Sequence, residues 1–183
     1  MAEETYIGTR SLEYALLGFL YEQPCNAISL HQQVVTELGY IWKISRSQTY
    51  AILKRLMEQG YVTSNTAEQE KLSPGELFQI TKAGRRRFRE WLEKPAGSSV
   101  HAIRVEFTTR LYFAEKLFTD MILKMLEAQS GEVDRALAGL EVDQAAIPDG
   151  QTFNRLSLDL HIRQLGSIRD WLIECHQAFE IKV

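Results

Sequence analysis

The chain has 183 residues, 45% hydrophobic and 25% charged, which is enough apolar material for one large domain or two small ones and too much for global disorder. No apolar run reaches about 18 residues, so no bilayer-spanning helix and no membrane partner are expected. The acidic opening MAEETYIGTR lacks the apolar stretch of a secretory signal, so the expected compartment is the cytoplasm. The net charge of −3 is unevenly divided: residues 1–95 carry 12 Lys/Arg against 11 Asp/Glu, and residues 96–183 carry 9 against 13.

Taken in chain order, the first helix is expected from about Ser11 to Tyr21, capped by Ser11 and stopped by Pro24. Its apolar residues are Leu12, Ala15, Leu16, Phe19 and Leu20. A second helix begins at the candidate cap Ser29, repeats Leu30, Val34 and Leu38 at four-residue spacing, and is closed by Gly39. The third runs from Ser45 to Gln59, with Gly60 beyond it. At 100° per residue, Thr49, Ile52, Leu53 and Leu56 share one face. Ser47, Gln48, Ala51, Lys54 and Arg55 share the other, with Tyr50 on the flank. The outward face is cationic and hydrogen-bonding, with no acid before Glu58.

Two short β-prone runs follow, Tyr61–Thr66 and Leu77–Ile80, separated by a polar stretch containing Ser73-Pro74-Gly75. They read as a hairpin. Thr81 then caps a helix from Lys82 to Leu92. Its basic run Arg85-Arg86-Arg87-Arg89 reads first as a solvated face. Glu93 to Ser99, with proline, glycine and two serines, reads as a linker.

Beyond it, Ile103, Phe107, Leu111, Ala114, Phe118, Met121 and Met125 step by three or four residues. They predict one long helix over about 100–128. A shorter helix over about 132–146, a turn at Pro148-Asp149-Gly150 and a last helix from Phe153 to Phe179 complete the chain. A helix of about 27 residues is about 40 Å long, and such helices usually complete their packing on a second copy. Phe107, Leu111, Phe118, Leu165 and Leu172 are the candidate dimer residues.

The expected fold is therefore mainly α with a small β-hairpin wing. An N-terminal winged helix-turn-helix domain occupies 1–95, and a long-helix dimerisation domain, open to an effector, occupies 96–183. In such a domain the first turn of the third helix enters the major groove of double-stranded DNA. Ser45, Arg46, Ser47 and Gln48 form that turn and are candidate DNA contacts: arginine and glutamine match guanine and adenine edges, and the backbone amides there favour a phosphate. Tyr50, Lys54 and Arg55 are candidates for phosphates, which position without reading sequence. Lys71, near the hairpin tip, is a candidate for the minor groove, opposed by Glu68 and Glu70. The competing reading of this face is an ordinary solvated helix surface, and of the chain a winged-helix protein-interaction scaffold without DNA readout.

Four stretches resemble the PadR-like family of transcriptional regulators, in particular members with an extended helical C-terminal domain. They are Ser11-Leu12-Glu13-Tyr14-Ala15-Leu16-Leu17-Gly18-Phe19-Leu20, the run Thr49 to Val62, Phe78-Gln79-Ile80-Thr81-Lys82-Ala83-Gly84-Arg85, and Arg169-Asp170-Trp171-Leu172. The resemblance implies a homodimer on a pseudo-palindromic operator, usually as a repressor, with Tyr50 and its neighbours near the DNA. Gln48 departs from the glycine many relatives have there. Regulators of this type often answer to small aromatic molecules, and Trp91 and Trp171 are the candidate effector residues, against a plainer role in packing.

No enzyme is expected, since there is no phosphate loop, nucleophile elbow or recognisable carboxylate pair. An enzyme acting on a small aromatic has only the aromatic inventory behind it. His31, His101, His161 and His176 lack metal-ligand spacing, and neither a metal nor another cofactor is expected. Cys25 and Cys175 are too far apart in sequence for a disulfide framework and read as small buried hydrophobes.

Overall fold

The computed structural model describes residues 7–65 and 75–180. In chain order the elements are α1 (Ile7–Glu22), β1 (Cys25–Asn26), α2 (Ala27–Glu37), α3 (Arg46–Glu58), β2 (Val62–Ser64), β3 (Leu77–Ile80) and α4 (Lys82–Glu93). Then come a short α5 (Val100–Ala102), a π-helical turn (Ile103–Phe107), α6 (Thr108–Leu117), a 3-10 turn (Thr119–Met121), α7 (Ile122–Ala146) and α8 (Thr152–Glu180). No helix among the described residues is long and apolar enough to cross a membrane.

The chain forms two compact units. The first holds residues 1–94 together with 108–113, and the second holds 95–107 and 114–183. In the first, β3 is the middle strand of a three-stranded antiparallel sheet, ordered β1-β3-β2. Val62 pairs with Ile80 and Ser64 with Phe78, while Cys25 pairs with Phe78 from the other side. The hairpin is the expected wing. Strand β1 is only two residues long, too short to leave a period-two pattern, so nothing in the sequence announces it.

The core of this unit is built on α1. Leu16, Leu17, Phe19 and Leu20 are fully enclosed, as are Leu30, Leu38, Leu53, Leu56, Phe78 and Phe88. Phe113 joins them from α6. Its ring meets Phe19 edge-on at 5.2 Å and Phe88 at 5.5 Å. Gly18 makes room for it: a Cβ there would lie 2.4 Å from the Phe113 ring.

Helix ends explain two local departures from expectation. Helix α2 is capped by Asn26, whose Oδ1 accepts the Ser29 N–H at 2.9 Å. Asparagine is as good a cap as serine, and it lies three residues earlier. Gly39 does not close the helix with a left-handed backbone; it is required because a Cβ would sit 2.2 Å from the Val35 carbonyl oxygen. Gly60, at φ 74°, does take the left-handed form after α3.

In the second unit the expected long helix over 100–128 is broken at Phe118 (φ −150°, ψ 59°). The residues that follow, Thr119 and Asp120, favour helix starts over helix interiors, because their short polar side chains compete for backbone groups. The break expected near residue 130 does not occur, and α7 runs unbroken from Ile122 to Ala146. Gln129, fully buried, accepts the Ala96 N–H at 2.9 Å. Helices α7 and α8 form a hairpin closed at Gly150, φ 90°. Of α8, Leu165 and Leu172 are buried, while Phe153, Leu156 and Leu160 are 81%, 64% and 58% exposed.

Candidate nucleic-acid interface

Helix α3 is amphipathic as its periodicity predicts. Thr49, Ile52, Leu53 and Leu56 are buried; Ser45, Arg46, Ser47, Gln48, Ala51 and Lys54 are exposed, with Tyr50 half-buried on the flank. The buried face holds the helix to the core by apolar area, which leaves the polar face free for a partner.

The exposed N-terminus is locked by a capping box. The Gln48 N–H donates to Ser45 Oγ at 3.2 Å, and the Ser45 N–H donates to Gln48 Oε1 at 2.8 Å. Ser47 Oγ lies 2.9 Å from Ser45 Oγ. Two otherwise orphaned amides are thus satisfied reciprocally. The spacing of a serine followed three residues later by glutamine was the signal for this. It means that the side-chain oxygen of Gln48 is committed to the helix, and its amide nitrogen carries whatever outward donation the residue makes.

Two further exposed side chains lie in the α2–α3 connection, Tyr40 and Lys43. Neither is marked by periodicity, which this segment lacks; the one sequence hint is the nearness of Lys43 to the Ser45 cap. Lys71 lies outside the described residues.

Arg55 stands differently from its neighbours. Its Nε donates to Glu13 Oε1 at 2.6 Å, and a terminal nitrogen of the same guanidinium lies 2.6 Å from that oxygen. Arg87 reaches the other oxygen, Oε2, at 3.1 Å. The basic run of α4 is therefore partly turned inward. Arg85 donates to the Tyr21 carbonyl at 3.3 Å and lies 4.5 Å from the Tyr21 ring centre. Burial works against the charge of Arg87, but its hydrogen bond to Tyr14 and the nearby Glu13 carboxylate outweigh this, and its pKa is raised. Arg86 and Arg89 are exposed.

The remaining expected residues fall as follows. Phe107, Leu111, Leu165 and Leu172 are consumed by the chain's own packing, and Phe118 is half-buried. An apolar stripe at three- and four-residue spacing is satisfied as well by the same chain as by a second copy, which periodicity alone does not distinguish. Trp91, buried, stacks on Tyr14 at 4.6 Å and carries the Arg110 guanidinium 4.8 Å from its ring centre. Trp171 meets Phe107 edge-on at 6.3 Å. Both act as packing here, and neither lines the open cleft between α7 and α8 bordered by Asp143, Ser157 and His161.

A capped, exposed helix preceded by a packed partner helix and followed by a β-hairpin and a further helix defines a winged helix-turn-helix domain. Residues 16–90 match the transcriptional regulator PadR-like family. The match lies within the first unit, and it is through this domain that the chain resembles the PadR-like transcriptional regulators. The negative transcriptional regulator PadR of Bacillus subtilis is 28% identical over 153 residues, covering 76% of this chain and 82% of that protein. A probable transcriptional regulator of Mycobacterium tuberculosis is 24% identical, with 94% and 99% covered. The crystal structure of Bacillus subtilis PadR in complex with operator DNA is similar at a TM-score of 0.42 and 22% identity, over 92% of this chain and 98% of that one.

Proposed function

We propose that the chain is a dimeric repressor that reads a pseudo-palindromic operator with α3 in the major groove of each half-site. The observation that carries this reading is the exposed, capped N-terminus of α3, where Arg46, Ser47 and Lys54 face outward with no acid before Glu58. Arg46 is the base reader, matching the two acceptors of guanine, with Ser47 and the Gln48 amide beside it. Ser45 and the helix amides meet a phosphate, as do Tyr50 and Lys54. The overall charge of −3 is no obstacle, since binding depends on the local face.

Residues 1–95, completed by 108–113, form the reading head; the helices of the second unit join two copies. Phe153, Leu156 and Leu160 supply an apolar face that a single chain leaves in water. The two recognition helices then lie about 34 Å apart, one turn of DNA. Repression is taken from the name of the Bacillus subtilis relative, a negative regulator. A cytoplasmic location accompanies this role.

The test is retardation of the duplex upstream of the chain's own gene, across a salt series, with sedimentation to count copies. A retarded band that weakens steeply with salt and holds two chains is expected. Arg46→Ala should cost about 1–3 kcal/mol and relax discrimination at one base, whereas Lys54→Ala should weaken all duplexes alike and lower the salt slope by about one. No band at low salt sinks the reading.

A further inference from the structure

Three helices of the first unit meet at one buried carboxylate. Glu13 of α1 is 4% exposed. One of its oxygens is held by Arg55 of α3 and the other by Arg87 of α4. Arg87 is anchored in turn: it donates to Tyr14 Oη at 3.3 Å and to Gln59 Oε1 at 3.1 Å, and its guanidinium lies 4.3 Å from the Tyr61 ring centre. Gln59 is the residue that closes α3. The C-terminal half of α3 is thus tied at two points: Arg55 to the buried Glu13 carboxylate, and Gln59 to the part-exposed Arg87.

The rest of the attachment of α3 is less directional. Ile52, Leu53 and Leu56 are held by burial, which is non-directional contact by contact, and Thr49 Oγ1 lies 3.3 Å from His31 Nδ1 of α2. A short, charge-assisted hydrogen bond adds a sharper directional constraint. A rotation of about 20° would move a side-chain tip about 6 Å from the axis by about 2 Å, enough to break a two-point base contact. Arg55 lies nine residues after Arg46, about 13 Å along the same rigid rod.

We propose that the Glu13–Arg55 pair sets the rotation at which α3 is presented to DNA, so that Arg55 is a positioning residue and not a phosphate ligand. This rests on the DNA reading given above. Glu13, buried, cannot touch DNA, yet it controls which bases Arg46 reaches. Arg87 supports the pair by holding the second carboxylate oxygen, which keeps the buried charge compensated.

The experiment first lets the full-length protein select its preferred duplex from a random pool. It then compares affinity for that duplex and for a scrambled one of equal length and composition. Glu13→Gln, Arg55→Gln, Arg55→Lys and the double variant E13Q/R55Q are measured, each well below its own Tm. The single variants are expected to lose about tenfold in the ratio of selected to scrambled affinity, with scrambled affinity and the salt slope unchanged. The double variant should be no worse than the weaker single, and R55K should resemble R55Q, because an ammonium cannot make the two-point grip. R55K, carrying a half-exposed change that keeps the charge, covers the case in which Glu13→Gln fails to fold. A salt slope lowered by about one in R55Q, with recovery in R55K, would identify a phosphate contact and overturn the proposal. So would a fall in both affinities in step with Tm, or discrimination left intact. If the unaltered protein enriches no duplex, the DNA reading itself fails and takes this inference with it.

Discussion

Cys25, in the edge strand β1, is buried, and its thiol is pushed up to about 11 by burial and by Glu22; Cys175 on α8 is pushed up to about 11 by burial and by Glu174. Both lie above the ordinary value of 9.0, so the unfolded chain ionises first as pH rises. The share of stability that comes from keeping these thiols neutral is complete below pH about 9 and lost as pH climbs towards about 11. A thiol kept neutral is a poor nucleophile. Alkylation by iodoacetamide at pH 7.5, followed by mass spectrometry, should be at least about tenfold slower in the folded protein than in the denatured chain. Equal rates would reopen a redox role for either residue.

At the scale of the element, α3 depends on its first turn. Ser45 serves the helix through its cap and the proposed interface through its exposure, and two substitutions separate these roles. Ser45→Ala should lower stability by about 1 kcal/mol and weaken DNA binding with it. Ser45→Asp preserves the cap and complements the helix dipole, so stability should be kept while affinity falls, because a carboxylate then faces the phosphates. Thermal unfolding beside a binding titration checks both. Undiminished affinity in Ser45→Asp would show that this end of α3 does not meet DNA.

At the scale of the whole molecule, the first unit is not a contiguous stretch of chain. Phe113 fills its core, Thr109 accepts the Trp42 indole N–H at 2.9 Å just before α3, and Tyr112 hydrogen-bonds Glu37 at the end of α2. Phe113→Ala should cost about 3–5 kcal/mol, the usual loss for a buried aromatic. The fragment 1–95 lacks all three side chains. It should unfold without a sharp transition, followed by circular dichroism, while the full chain unfolds cooperatively; a sharp transition in the fragment would mean that 108–113 is dispensable.

The helix-helix-helix-hairpin-helix order was legible in the sequence, because apolar spacing and capping residues report local structure directly. The two faces of α3 were legible for the same reason. Three things were decided only by tertiary structure. Arg55 and Lys54 are adjacent and equally basic in sequence, yet one is paired with a buried carboxylate 42 residues away while the other is exposed. The stripe from Ile103 to Met125 has helical spacing throughout, yet Phe118 breaks it, since spacing is blind to backbone angles. And Phe113 belongs with residues 1–94, a contact between distant parts of the chain that no local pattern encodes, because burial depends on what the fold brings near and not on what stands beside a residue in sequence.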